Sequence, residues 1–237
     1  MICFENVSFS YGKGKTVFEN LSFTVHDGES VGLIGANGAG KSTLMKLLPG
    51  LLPHEGSIRV DELEVKKENL REIRRRLGFL LQNSDDQMFM PTVFEDMTFG
   101  PLNYGLSRAE AEARADSALA ALGIEKLKHC YNHRLSGGEK KMAAIATVLC
   151  LEPDTLLMDE PTAALDPFNR RQVINTVNSL PNTKLITSHD LDMIYDTCQR
   201  VLLLSDGVLV ADGGRDEILR DRALLEANRL ELPLRFS

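Results

Sequence analysis

Gly35-Ala36-Asn37-Gly38-Ala39-Gly40-Lys41-Ser42 reads G-x-x-x-x-G-K-S, and no other stretch restricts the architecture of this chain as tightly. Before it, Ser30 to Ile34 is short and apolar, as a buried strand should be. After it, Lys41 to Leu48 has no helix breaker and carries Leu44, Leu47 and Leu48 at helical spacing. A strand that turns through glycines into a helix lets successive backbone N–H groups point inward. Together with the helix N-terminus they form an anion cradle. The expected phosphate contacts are Gly35, Asn37, Gly38, Ala39, Gly40, Lys41, Ser42 and Thr43. Lys41 reaches the β- and γ-phosphates, the Ser42 hydroxyl takes one position on Mg²⁺, and Thr43 is the candidate for the α-phosphate. A glycine-rich turn with no ligand is the competing reading. The flanking strand and helix favour a nucleoside triphosphate site.

At 237 residues the chain suits one α/β domain, with or without an inserted lobe. The net charge of −7 argues against broad nucleic-acid binding, which needs basic patches for phosphate contact. Cys3, Cys130, Cys150 and Cys198 are scattered, with no C-x-x-C spacing. They suit a reducing cytosol, where lone cysteines serve as small core residues. There is no basic-plus-apolar leader, and no apolar run approaches the ~18 residues of a membrane span. Docking onto a membrane protein stays open.

Residues 2–25 read as β structure. Val7, Phe9 and Tyr11 alternate with polar residues, as do Leu21, Phe23 and Val25, with a turn at Gly12-Lys13-Gly14-Lys15. Tyr11, at a strand end, suits either core packing or stacking on a base. Gly56 to Val65 suggests two short strands, and Asn69 to Leu77 a helix whose arginines face solvent. Gly78 to Leu81 reads as a core strand ending at Gln82. That amide is either an ordinary loop residue or one able to reach a metal or a nucleophilic water. Thr92 with Glu95 and Ser107 with Glu110 fit the capping box, and the second helix runs from Arg108 to Leu122 with Gly123 as its stop. Residues 90–133 thus look like a helical lobe.

Leu135-Ser136-Gly137-Gly138-Glu139 offers a third capping box. Two glycines in a first helical turn cost ~1 kcal/mol each relative to alanine. That makes sense if something approaches the backbone closely, and a helix N-terminus suits a phosphate. Thr155 to Met158 is apolar and ends in Asp159-Glu160. Carboxylates at the C-terminal edge of a parallel sheet lie where α/β ligands bind. Asp159 would hold Mg²⁺ through water and Glu160 would orient or deprotonate the attacking water. Asp166 before Pro167 is an N-cap and N1 pair opening a helix to about Ser179. Thr183 to Ser188 reads as a strand with His189 at its end, either structural or in contact with a γ-phosphate. Val201 to Ala211 reads as a hairpin, and Arg215 to Arg229 as one surface helix.

These pieces, in this order, resemble the ATP-binding cassette (ABC) ATPase family. Tyr11 matches the adenine-stacking aromatic, Gly35 to Thr43 the Walker A loop and Gln82 the Q-loop glutamine. Leu135 to Glu139 matches the signature motif, Asp159 and Glu160 Walker B, Ala163 to Asp166 the D-loop, and His189 the switch histidine. The resemblance implies a P-loop NTPase core of mostly parallel strands, with an N-terminal antiparallel β subdomain and an inserted α-helical subdomain. Its parts would be 1–89 and 152–214 for the α/β core, 90–151 for the helical subdomain, and 215–237 for a C-terminal helix and tail. It also implies ATP hydrolysis with Mg²⁺ on Ser42, Gln82 and Asp159. Lys41, Gln82, Glu160 and His189 would be catalytic. Two cassettes, identical or paralogous, would close head-to-tail, each using the partner's Ser136, Gly137 and Gly138, with Asp166 near the shared nucleotide.

A narrower match runs through Gln82-Asn83-Ser84-Asp85-Asp86-Gln87-Met88-Phe89, Pro91-Thr92-Val93, Phe99-Gly100-Pro101-Leu102-Asn103 and Leu230-Glu231-Leu232-Pro233. These resemble the ATPase subunits of energy-coupling factor (ECF) transporters. In that family Asp85-Asp86-Gln87 would start a short helix beside the groove for the membrane subunit's coupling helices. The expected setting is the cytoplasmic face of a membrane, with a scaffold and a substrate-binding membrane subunit as partners and no nucleic acid. The short C-terminal end leans towards the cobalt, nickel or biotin type. Other ABC transporter classes, or a soluble ABC ATPase of repair or translation, are the alternatives. Met142 stands where an arginine usually follows the signature, and Ala164 replaces the usual D-loop glycine or serine.

Overall fold

The computed structural model describes residues 1–12 and 15–237. The centre of the turn expected at Gly12–Lys15 lies outside the described residues. In chain order the elements are β1 (Ile2–Tyr11), β2 (Lys15–Val25), β3 (Ser30–Ile34), α1 (Lys41–Leu47), β4 (Glu55–Val60), β5 (Leu63–Glu64) and α2 (Leu70–Arg76). Then come β6 (Leu77–Leu80), α3 (Ser84–Gln87), α4 (Val93–Asn103), α5 (Arg108–Leu122), α6 (Gly137–Leu149), β7 (Thr155–Asp159) and α7 (Pro167–Ser179). The chain continues through β8 (Thr183–Thr187), α8 (Leu191–Thr197), β9 (Arg200–Ser205), β10 (Val208–Gly214), α9 (Arg215–Leu219) and α10 (Arg222–Ala227). They group into two compact units, Met1–Arg74 with Pro181–Ser237, and Arg75–Leu180.

In the first unit, β2, β1, β4 and β5 pair in that order, all antiparallel. Their inward residues Phe4, Phe18, Leu21 and Ile58 are fully buried. The alternation read in the sequence is therefore the two faces of this sheet. A second set runs β10-β9-β3-β8, with β3 parallel to both β9 and β8. β3 and β8 are buried along their whole length, as strands covered on both faces must be. The segment expected as one helix from Arg215 breaks at Asp221, whose carboxylate takes the Leu224 N–H at 2.9 Å and starts α10 afresh. The chain's end is held on α8. Asp192 accepts from the Leu234 amide and from Arg235 Nε, both at 2.7 Å. Tyr195 carries the Arg215 guanidinium at 4.7 Å and that of Arg235 at 4.6 Å from its ring centre.

In the second unit β6 and β7 pair in parallel. All three capping boxes form, at Thr92, Ser107 and Ser136, each with its glutamate returning to the cap. They start α4, α5 and α6, and Gly123 ends α5 in the left-handed region at φ 65°. A buried carboxylate ties the chain before α4. Asp96 accepts from the amides of Phe89 (3.1 Å) and Met90 (3.0 Å) and from the Asn132 side-chain amide. The cysteines are free, and burial pushes the thiols of Cys150 and Cys198 up to about 12 and about 11. Both are inert core residues at neutral pH.

Candidate functional site

The glycine loop is built within the first unit. Gly40 adopts φ 103°, and a Cβ there would run into the Phe18 ring and Val17, so only glycine fits the start of α1. At Gly38 a Cβ would meet nothing within 4 Å. The loop is thus tightly packed at Gly40 and open at Gly38.

Lys41 is buried at 7% exposure. Its ammonium donates to the carbonyls of Gly35 (2.7 Å) and Ala36 (3.3 Å) and lies 3.4 Å from Nε2 of His189. β8 runs parallel to β3, with Leu33 facing Thr187 across the ladder, and this register sets His189 beside the loop. The loop lysine and the strand-end histidine, read separately in the sequence, therefore meet. Tyr11 is 49% exposed. Its hydroxyl lies 3.2 Å from Thr43 Oγ1 and its ring stands edge-on to Phe9 with centroids 4.7 Å apart. About half of the side chain is left exposed, which suits stacking on a base.

In the second unit β7 ends in Asp159 and is followed by Glu160, both buried. Glu160 sits at φ 49°, an uncommon conformation for a residue with a Cβ. Ala164 is also left-handed, at φ 60°. That is the physical reason a glycine is at home at this D-loop position. Asp166 caps α7 through the amides of Phe168 (2.9 Å) and Asn169 (3.1 Å). Those bonds, the Asn169 amide first, hold its carboxyl below the ordinary carboxylate value. Ser136 Oγ donates to Glu139 at 2.9 Å, so its proton is engaged in the capping box.

The two signature glycines have different causes. A Cβ at Gly137 would meet nothing, leaving its side of the helix start open to a ligand. A Cβ at Gly138 would strike the Asn169 side chain, itself hydrogen-bonded to Asp166. Met142, which stands where the resemblance expects an arginine, is buried in α6.

Gln82 follows β6 and is exposed. Lys141 is 3% exposed and donates to the carbonyls of Gln82 (2.8 Å) and Leu81 (3.4 Å). Burial lowers its pKa, opposed by the charges of Asp159 and Glu160. Lys141 and Asn169 carry structural roles that the sequence reading passed over. A signal existed for Lys141, a cation three and four residues before Ala144 and Ile145 on the apolar stripe of α6.

A profile of the ABC transporter family matches residues 18–163, more than half of the chain. The chain belongs to the ABC transporter family. It is 48% identical over 225 residues to an ABC transporter ATP-binding protein of Geobacter sulfurreducens, covering 94% of this chain and 90% of that one. An energy-coupling factor transporter ATP-binding protein, EcfA, of Methanothermobacter thermautotrophicus is 40% identical over 239 residues, covering 98% and 77%. The solved cbiO1 of Clostridium perfringens, part of the ABC transporter complex cbiONQ, superposes with a TM-score of 0.85 at 31% identity, covering 95% and 93%. This ABC cassette has the mixed α/β fold of the family and is an ATPase. No helix among the described residues is long and apolar enough to cross a membrane, and cassettes of this family work as dimers with membrane subunits.

Proposed function

We propose that this cassette is the ATP-hydrolysing subunit of an ECF-type importer, taking up cobalt, nickel or a vitamin through separate membrane subunits. The observation that carries the ECF reading is the surface beside α3. Asn83 caps this one-turn helix, and next to it Phe89, 64% exposed, stands edge-on to Phe99 at 5.0 Å, with Leu102 one turn further along α4. An exposed aromatic and aliphatic patch of this kind suits a partner protein. The likeness to EcfA and to cbiO1 supports the same reading.

In this reading Tyr11 stacks on adenine, the Gly35–Thr43 loop holds the phosphates, and Lys41 bridges the terminal two. Ser42, Gln82 and Asp159 hold Mg²⁺, which neutralises charge on the phosphates. Among the described residues no group of three or more His, Cys, Asp and Glu stands ready to hold a metal. A magnesium bound through one carboxylate, a hydroxyl, waters and substrate phosphate needs none. Glu160 accepts a proton from the attacking water, and His189, placed by Lys41, contacts the γ-phosphate. Ser136, Gly137 and Gly138 present backbone donors to the nucleotide of a second cassette.

The test is purification in detergent from native membranes. The expected result is co-elution with a polytopic scaffold and a small membrane-embedded binding protein. Co-elution with DNA or ribosomes and no membrane protein overturns the reading.

A further inference from the structure

Gln87 ends α3, and its carboxamide joins two other elements. Oε1 accepts the Leu81 N–H at 3.0 Å, just past β6. Nε2 donates to the Ala144 carbonyl at 2.9 Å and to Thr147 Oγ1 at 3.1 Å, both in α6. Lys141, one turn earlier on the same face of α6, takes the other side of that backbone through the carbonyls of Leu81 and Gln82. The peptides leading into Gln82 are thus gripped on their N–H side through Gln87 and on their C=O side by Lys141. Asp85 adds an ion pair to Lys140 at the surface. The helix that supplies this grip is the one that begins at Ser136-Gly137-Gly138.

We propose that Gln87 and Lys141 are positioning residues that lock the backbone carrying Gln82 to the signature helix, so that Gln82 and the Ser136–Gly138 turn enter and leave their working positions as one body. The proposal rests on the reading of Gln82 as a group of the ATP site. It assigns the Asp85-Asp86-Gln87 stretch largely to work inside the chain. Asp85 and Gln87 both bond to other elements of their own unit, and Asp86 remains for a partner. The chemistry requires an amide at position 87. A glutamate of the same shape accepts from Leu81 but sets its charge against the Ala144 carbonyl oxygen. At 141 the requirement is a cation with several donors, since two carbonyls converge on it.

The test compares Gln87→Glu, Lys141→Met and Lys141→Arg with the parent, in the complete cassette pair, measuring ATP affinity and turnover separately. Gln87→Glu and Lys141→Met are expected to lose about tenfold in kcat, the order of one hydrogen bond, with ATP affinity within about twofold. Lys141→Arg is expected to retain most of the activity, which a merely space-filling role would not distinguish from methionine. Gln82→Ala is measured beside them: parent-like kcat in both Gln87→Glu and Lys141→Met overturns the lock when Gln82→Ala lowers kcat, and a parent-like Gln82→Ala removes the reading of Gln82, and the lock with it. Amide exchange on the parent keeps the proposal testable if a variant does not fold. Leu81 and the first turn of α6 are expected to gain protection together on adding ATP and Mg²⁺, and protection of one without the other overturns the proposal.

Discussion

The Lys41 ammonium lies 3.4 Å from Nε2 of His189, joining residues 148 positions apart in the chain. The same ammonium holds the carbonyls of Gly35 and Ala36, so one cation orients the loop and the histidine together. Lys41→Ala should therefore lower both ATP affinity and turnover while the fold persists. His189→Ala should lower turnover more than affinity, because the loop is left intact. Isothermal titration and a phosphate-release assay separate the two, and unchanged ATP affinity in Lys41→Ala would sink the site as drawn.

Tyr11 is half exposed, with its hydroxyl near Thr43 and its ring against Phe9. Tyr11→Ala should weaken ATP and GTP alike by ~1–3 kcal/mol, since stacking discriminates poorly between bases. Equilibrium titration with both nucleotides checks this. A loss confined to ATP would point to a hydrogen-bonding base pocket.

Glu160→Gln keeps shape and removes the proposed proton acceptor. Turnover should fall by roughly 10²–10⁴-fold, the worth of general-base assistance, with ATP binding retained. Uncleaved ATP should then hold two cassettes together, seen by light scattering as a dimer in ATP and a monomer in ADP. If the partner is a paralogue, both chains must be present. Parent-like turnover would remove Glu160 from the catalytic role.

The chain's end offers a prediction with a defined pH sign. Burial alone would raise the pKa of Asp192, but hydrogen bonds from Arg235 and the Leu234 amide outweigh it and hold the carboxyl below the usual aspartate value. A carboxyl depressed by folding contributes its stability above the unfolded pKa and loses it as pH falls through the folded one. The tail should stay docked at neutral pH and release only below about 4. Asp192→Ala should free it at neutral pH, at a cost of about 1–3 kcal/mol. Amide exchange at Leu234 and Arg235 reads this directly, and equally slow exchange in the variant would refute it.

What could be read from the sequence was what is satisfied locally. The three capping boxes close within four residues, and the glycine loop is framed by its own strand and helix, so neither needs distant information. Helix α8 was not anticipated. It spans seven residues and is announced only by the Asp190 cap, too little for a periodic pattern. The continuous helix expected after Arg215 failed because a second cap at Asp221 restarts the count. The bonds from Gln87 to Ala144, 57 residues away, and the packing of Asn169 on Gly138 depend on how helices seat against one another. No short-range pattern encodes that seating.

The left-handed backbone at Glu160 has a consequence for breeding this protein towards heat resistance. A side chain held there costs on the order of 1–2 kcal/mol, and its buried carboxylate adds to the burden. Glycine at this position relieves both. Libraries screened on melting temperature alone would accordingly enrich Glu160→Gly, a sturdier chain without the carboxylate proposed to accept the water's proton. Durability and turnover pull in opposite directions at this one peptide, and a thermostabilisation campaign on this cassette must hold position 160 out of its mutable set.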